Sequence, residues 1–184
     1  MINSNGEHQE LWLKFIAGDD KAFASLYNCY VNKLFVFGCC FTSNEELVKD
    51  CVQDLFMKLY ATRKRLQKVE NVKAYLFNAM KNILFNLFKK EITYYRIDTI
   101  EPVFYTEFTG ETRMIKVETL SEQKKSIQKM MENITPRQRE ALYYRFVEEF
   151  SYEEICELMQ MNYQSVRNLI HRTLLKIRST VKNT

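Results

Sequence analysis

Six side chains near the C-terminus, Gln164, Ser165, Arg167, Asn168, His171 and Arg172, have the chemistry to read duplex nucleic acid. Arg guanidinium groups and the amides of Asn and Gln present paired hydrogen-bonding atoms that match base edges in a major groove. At helical spacing, Gln164, Arg167, Asn168, His171 and Arg172 fall on one side and Val166, Ile170, Leu174 and Ile177 on the other. From Asn162 to Thr184 there is no Asp or Glu, yet Arg167, Arg172, Lys176, Arg178 and Lys182 are present. A helix that must approach a polyanion has reason to exclude acids over such a length. An ordinary solvated helical hairpin, the plainer account of the segment, has none.

A reading helix needs neighbours to aim it. Ser151 and Glu154 form an S-x-x-E capping box that starts a preceding helix, and Ile155, Leu158 and Met159 give that helix an apolar face. Asn162 can cap the reading helix after a three-residue break, so Ser151–Arg178 has the layout of a helix-turn-helix. Further upstream Thr135 caps another helix, with Pro136 at its first position and Gln138 completing the box. Its core side chains are expected to be Ala141, Leu142 and Phe146.

Two other groups of residues carry possible chemistry. A helix capped by Asn71 would turn Val72, Leu76, Ala79, Met80, Ile83 and Leu87 inward. It would turn Lys73, Phe77, Asn78, Lys81, Asn82, Phe85 and Lys89 outward. Cations interleaved with aromatics suit an unpaired strand, by phosphate neutralisation and base stacking. Aromatics that simply belong to the core would give the same pattern, and the spacing alone leaves both readings open. On the helix before it, Asp50, Gln53 and Asp54 cluster on an exposed face with Phe56 nearby, opposite Leu47, Cys51, Leu55 and Leu59. Asp50 and Asp54 are a like-charge i, i+4 pair, which a basic or polar partner would relieve. A solvated acidic patch is the plain alternative.

These elements sit in a chain of 184 residues, 46% apolar, with only four Gly and two Pro, so long helices are expected and hairpins are not: an all-α fold. In the N-terminal block, a short helix with Leu11 and Phe15 ends near Gly18. Asp19 or Asp20 caps a second helix that buries Phe23, Leu26, Tyr27, Tyr30, Leu34 and Phe37, and Ser43 with Glu46 boxes the third. The net charge of +4 is unevenly placed. Residues 61–90 hold eight Lys or Arg against one Glu, and residues 98–122 six acids against two bases. Helical periodicity fails from Glu91 to about Glu122. The expected organisation is therefore a helical domain at 1–92, an acidic linker at 93–122 and a second helical domain at 123–184.

Several functions find no support. The five cysteines lack C-x-x-C spacing and the two histidines, His8 and His171, lie far apart, so no metal and no other cofactor is expected. No Ser-His-Asp, H-E-x-x-H or phosphate-loop pattern is present, and no catalytic residue is assigned. The longest apolar run, Leu34–Phe41, is too short to span a bilayer. A cytoplasmic location and no membrane insertion are expected.

Four stretches, taken together and in this order, carry a family resemblance: GDDKAFASLYNCYVNKL, VKDCVQDLFMKLY, VKAYLFNAMKNILFNLFKK and TPRQREALYYRFVEEFSYEEICELMQMNYQSVRNLIHRTLLKIR. They resemble regions 2.1, 2.2, 2.3–2.4 and 4 of the extracytoplasmic-function (ECF) sigma factors, a group of the sigma-70 superfamily. The resemblance implies a bacterial transcription initiation factor, not an enzyme, with a region 2 helical bundle and a region 4 helix-turn-helix. Its implied partners are promoter DNA and core RNA polymerase, at the β′ clamp helices and the β flap, and in many family members an anti-sigma factor. It places Asp50, Gln53, Asp54 and Phe56 at the polymerase and Leu66–Asn71 at the loop that captures a flipped −10 base. Lys73, Asn78, Lys81 and Asn82 fall on or near the strand-separation helix, and Gln164, Ser165, Arg167, Asn168, His171 and Arg172 at the −35 groove. The chain departs from the family where Gln160 replaces the usual Gly of the turn and where Tyr75 replaces a usual Trp. The rival reading is a stand-alone helix-turn-helix repressor or activator, which would bind duplex as a symmetric dimer without polymerase.

Overall fold

The computed structural model describes residues 4–94 and 134–182, and among these it contains helices and turns but no strand. The chain divides into two compact units, with the break after Val103. The expected acidic linker lies outside the described residues, apart from its first two positions, which continue a helix.

The first unit is built from four helices: α1 (Ser4–Ile16), α2 (Asp20–Gly38), α3 (Glu45–Thr62) and α4 (Val72–Tyr94). Trp12 and Phe15 anchor α1, both 1% exposed. Gly18, at φ 107°, lets the chain reverse into α2 without the steric cost a Cβ would bring. Asp19 caps α2, its carboxylate accepting from the Lys21 and Ala22 N–H groups. At the far end of α2, Gly38 permits a close helix approach: a Cβ there would lie 2.5 Å from Val48 Cγ1 on α3. The cap of α3 is Asn44, whose side chain accepts from Leu47 N–H, rather than the Ser43 box read from the sequence. The neighbouring Asn wins because its amide oxygen reaches the orphan N–H, a bond worth about 1 kcal/mol. Asn71 caps α4 as expected, accepting from Ala74 N–H at 2.9 Å.

The core is continuous through Tyr30, Leu34 and Phe37 of α2, Val48, Cys51 and Leu55 of α3, and Leu76, Phe77, Met80 and Leu84 of α4. His8 on α1 meets the Tyr30 hydroxyl at 2.9 Å. Burial, helped by Lys33 and Lys73, pulls the His8 pKa below its ordinary value, so the neutral ring is favoured there.

The second unit holds α5 (Pro136–Leu142), a π turn over Tyr143–Val147, α6 (Tyr152–Met159) and α7 (Tyr163–Lys182). Both sequence-predicted capping boxes are present, Thr135 with Gln138 and Ser151 with Glu154. The predicted core of α5 needs correction. Ala141 is fully buried, but Phe146 is 57% exposed, while Tyr143 and Tyr144 are buried. The wider π turn shifts the helical register, so a residue extrapolated at 3.6 per turn ends on the wrong side.

Candidate nucleic-acid interface

The turn between α6 and α7 sets the direction of the exposed α7 side chains. Gln160 ends α6 in the left-handed conformation, φ 51° and ψ 50°. Its N–H donates to Glu157 O at 3.3 Å and the Met161 N–H to Cys156 O at 3.0 Å, the pair of bonds that defines a Schellman ending. Asn162 then caps α7, accepting from Ser165 N–H at 2.8 Å. Arg145 braces the approach: it donates to Phe150 O at 3.0 Å and lies 4.9 Å from the Tyr152 ring centre. Tyr152 in turn packs on Tyr163, the first residue of α7.

On α7, Val166, Ile170 and Thr173 are buried against α5 and α6, while Gln164, Arg167, Asn168, His171 and Arg172 are exposed. Ser165 is half-buried beside them. Gln164 Nε2 donates to Asn168 Oδ1 at 3.1 Å, which pre-orients two amides one turn apart on that face. Leu174, read from the sequence as an inward residue, is 43% exposed, and Thr173 takes the buried place. Positions 166, 170, 173 and 177 follow the true 3.6 period. Thr173 enters the core because its hydroxyl donates to Leu169 O at 2.7 Å.

In the first unit, Asn78, Lys81 and Asn82 share one face of α4 at i, i+3 and i+4, with both amides exposed and Lys81 half-buried. Lys81 Nζ lies 5.6 Å from the Phe85 ring centre. Phe77, by contrast, is 0% exposed and packs edge-on to Phe37 at 5.0 Å. It is a core residue and offers no stacking surface. Lys73 and Leu66 are half-buried, and Asn71 uses its side-chain oxygen to cap α4.

On α3, Asp50, Gln53 and Asp54 are exposed as one stripe, and Asp54 lies 3.9 Å from Lys58 Nζ. Phe56, expected near that face, is only 3% exposed. It floors an apolar groove of about 510 Å³ between α2 and α3, lined also by Phe23, Tyr27, Gln53, Met57 and Tyr60. The exposed apolar rim is the feature sequence reasoning missed. Met57 is 60% exposed and Tyr60 41%. The signal was present: both fall off the Cys51–Leu55–Leu59 stripe, on the solvent side of an amphipathic helix.

The cysteines do not assemble a reactive site. Burial pushes the Cys39 and Cys51 thiols up to about 11. Among the described residues no three His, Cys, Asp or Glu side chains are grouped to hold a metal ion, and no helix is long and apolar enough to cross a membrane.

Comparison with known proteins agrees with this arrangement. The family model described as Sigma-70, region 4 matches residues 124–177, which include the helix-turn-helix. The RNA polymerase sigma factor YlaC of Bacillus subtilis (strain 168) is 21% identical over 162 residues, spanning 85% of this chain and 90% of its own length. The ECF RNA polymerase sigma factor SigM of the same organism is 22% identical over 157 residues, spanning 84% and 91%. In fold, the chain resembles CnrH, solved in complex with the cytosolic domain of CnrY, at TM-score 0.66 and 15% identity, covering 95% of this chain and 97% of that one. It also resembles the sigma factor RpoE of Bartonella quintana, solved with the anti-sigma factor NepR, at TM-score 0.64 and 19% identity, covering 88% and 98%. Residues 124–177 thus match Sigma-70 region 4, and the chain, helical throughout its described residues, is similar over most of its length to ECF sigma factors, which supports a sigma-factor role in transcription initiation.

Proposed function

We propose that this chain binds core RNA polymerase and directs it to promoters by reading two separate DNA elements. The observation that carries the reading is the division of α7 into a buried apolar face and an exposed face of Gln164, Arg167, Asn168, His171 and Arg172. In the proposal that face enters the major groove of −35 duplex, where long donors and amides discriminate bases. The loop Leu66–Asn71 accepts an unpaired −10 base, and the Asn78, Lys81 and Asn82 face of α4 holds the separated strand. The α3 stripe docks on the β′ clamp helices. Asp50, Gln53 and Asp54 supply charge and polar contacts, and the Met57 and Tyr60 groove supplies apolar area. A stand-alone repressor has no use for that groove.

The organisation that goes with this reading is a polymerase- and −10-binding domain at 1–92, a connecting segment at 93–122 and a −35-binding domain at 123–184. The second domain also rests on the β flap. Since RpoE of Bartonella quintana was solved with an anti-sigma factor, an inhibitory partner of that class is proposed for this chain as well. The site of action is the cytoplasm, where polymerase and promoter meet.

The test is transcription in vitro with core polymerase on a genomic library, with and without the protein. New start sites preceded by two short motifs at constant spacing are expected. Duplex binding that is unaffected by polymerase, with no new transcripts, would establish the repressor reading instead.

A further inference from the structure

The loop Leu66–Asn71 joins the short turn after α3 to α4. The backbone hydrogen bonds at its ends run from Leu66 N–H to Arg63 O at 3.2 Å and from Tyr75 N–H to Asn71 O at 3.0 Å. Its middle is tied instead to α1. Trp12 Nε1–H donates to Gln67 O at 3.1 Å, and Gln9 Nε2–H donates to Val69 O at 3.2 Å. The two carbonyls are two residues apart, as befits one edge of an extended stretch, and the donors lie more than fifty residues away in sequence. Trp12 is a stiff donor: it is 1% exposed, with ring contacts to Phe15 at 5.7 Å and to Tyr75 of α4 at 5.2 Å. The loop entry has its own tie. Asp20, at the start of α2, accepts from Arg63 Nη1 at 2.8 Å and from the Tyr60 hydroxyl at 3.1 Å, and the Arg63 guanidinium sits 4.5 Å from the Tyr60 ring centre. Held in this way, the loop leaves Gln67, Lys68 and Glu70 exposed to solvent.

We infer that α1 is the positioning element of the base-capture loop, and that Trp12 and Gln9 set which base the loop prefers without touching DNA. The inference rests on the reading of Leu66–Asn71 as the −10 capture site. Discrimination between bases depends on polar groups held to within a fraction of an ångström, and a short loop takes that precision from its supports. Two carbonyls pinned by side chains of a packed helix provide it. Free of the pins, the loop would sample several shapes and accept several bases.

The experiment uses holoenzyme made from core polymerase and the full chain, with a pool of single-stranded DNA randomised over ten nucleotides as the probe. The bound fraction is sequenced. Trp12→Phe keeps the ring and removes the donor, and Gln9→Met keeps the stem and removes the amide. Combined, they are expected to reduce base discrimination at one position of the selected motif by about tenfold. Preference at the other positions, core-polymerase affinity and −35 duplex binding should stay within about twofold, the scatter expected of sites that share no contact. Gln9→Lys restores a donor toward Val69 O and should keep the preference that Gln9→Met loses, a rescue that a purely structural role would not give. Gln9 is half-buried, so the single Gln9 variants report even if Trp12→Phe folds poorly. An undiminished preference in the combined variant would overturn the positioning role, and so would an equal loss at every position together with lost polymerase binding. A pool that the wild-type holoenzyme binds with no base preference would overturn the capture reading itself.

Discussion

Gln160 occupies a conformation that costs an ordinary side chain about 1 kcal/mol, and it does so at the turn that aims Arg167 and Arg172. Gln160→Gly is therefore expected to stabilise the second unit by up to about 1 kcal/mol, seen as a higher urea midpoint. A lowered midpoint would mean that the Gln side chain makes a compensating contact. Phe77 makes the opposite case. The cation–aromatic pattern of α4 offered it as a stacking platform, but at 0% exposure its removal leaves a cavity. Phe77→Ala should destabilise the first unit by about 3–5 kcal/mol, read by denaturant unfolding. A variant of unchanged stability with lost single-strand binding would restore the stacking role. The pattern could not separate the two outcomes, because Phe77 and Phe85 lie two turns apart on the same flank of the helix. Only the place of Phe37 at the end of α2 and of Phe41 in the turn after it decides how deeply each ring is taken in.

At the scale of the element, each exposed helix face carries one proposed contact, and the contacts should be separable. Arg172→Ala is expected to lower −35-dependent transcription about tenfold and to reduce the salt slope of duplex binding by roughly one, while polymerase binding persists. Loss of polymerase binding in that variant would remove α7 from the −35 assignment. The α3 stripe should behave in reverse. Gln53→Ala with Asp54→Ala is expected to weaken core-polymerase affinity about tenfold in a pull-down, the scale of one lost interface anchor, with duplex binding by α7 intact. An unchanged affinity would shift the dock toward the Met57 and Tyr60 end of the groove. Helices and caps were largely legible, since caps are local: Thr135, Ser151, Asn162, Asp19 and Asn71 all close the helices assigned to them. The π turn after Leu142 was not, because its extra residue per turn leaves no mark on a periodicity counted at 3.6.

For the whole molecule, function in the proposal comes from two weak contacts made by one chain. Each unit is small and presents a modest surface, so the free protein is expected to hold DNA weakly and to gain from the effective concentration that polymerase imposes. Coupling of binding to melting is the signature of that design. Asn82→Ala should slow open-complex formation on duplex promoters about tenfold, while a pre-melted template is used nearly as well as by the wild type; permanganate footprinting on both templates measures it. An equal loss on the two templates would indicate misfolding of α4 rather than a role in strand separation.

The sequence by itself determined the helices, most of their caps, the acid-free face of α7 and the four-part order that carries the family resemblance. Each of these is a matter of local spacing or of residue type, and neither needs to know what lies across the core. Tertiary structure decided which apolar residues are core and which are surface. It buried Phe56 and Phe77, exposed Phe146, Met57 and Tyr60, and moved Thr173 inward in place of Leu174. It also tied Gln9 and Trp12 to a loop more than fifty residues away. Burial depends on which helix packs alongside and at what register, and a hydrogen bond between distant segments exists only once the chain has closed around it.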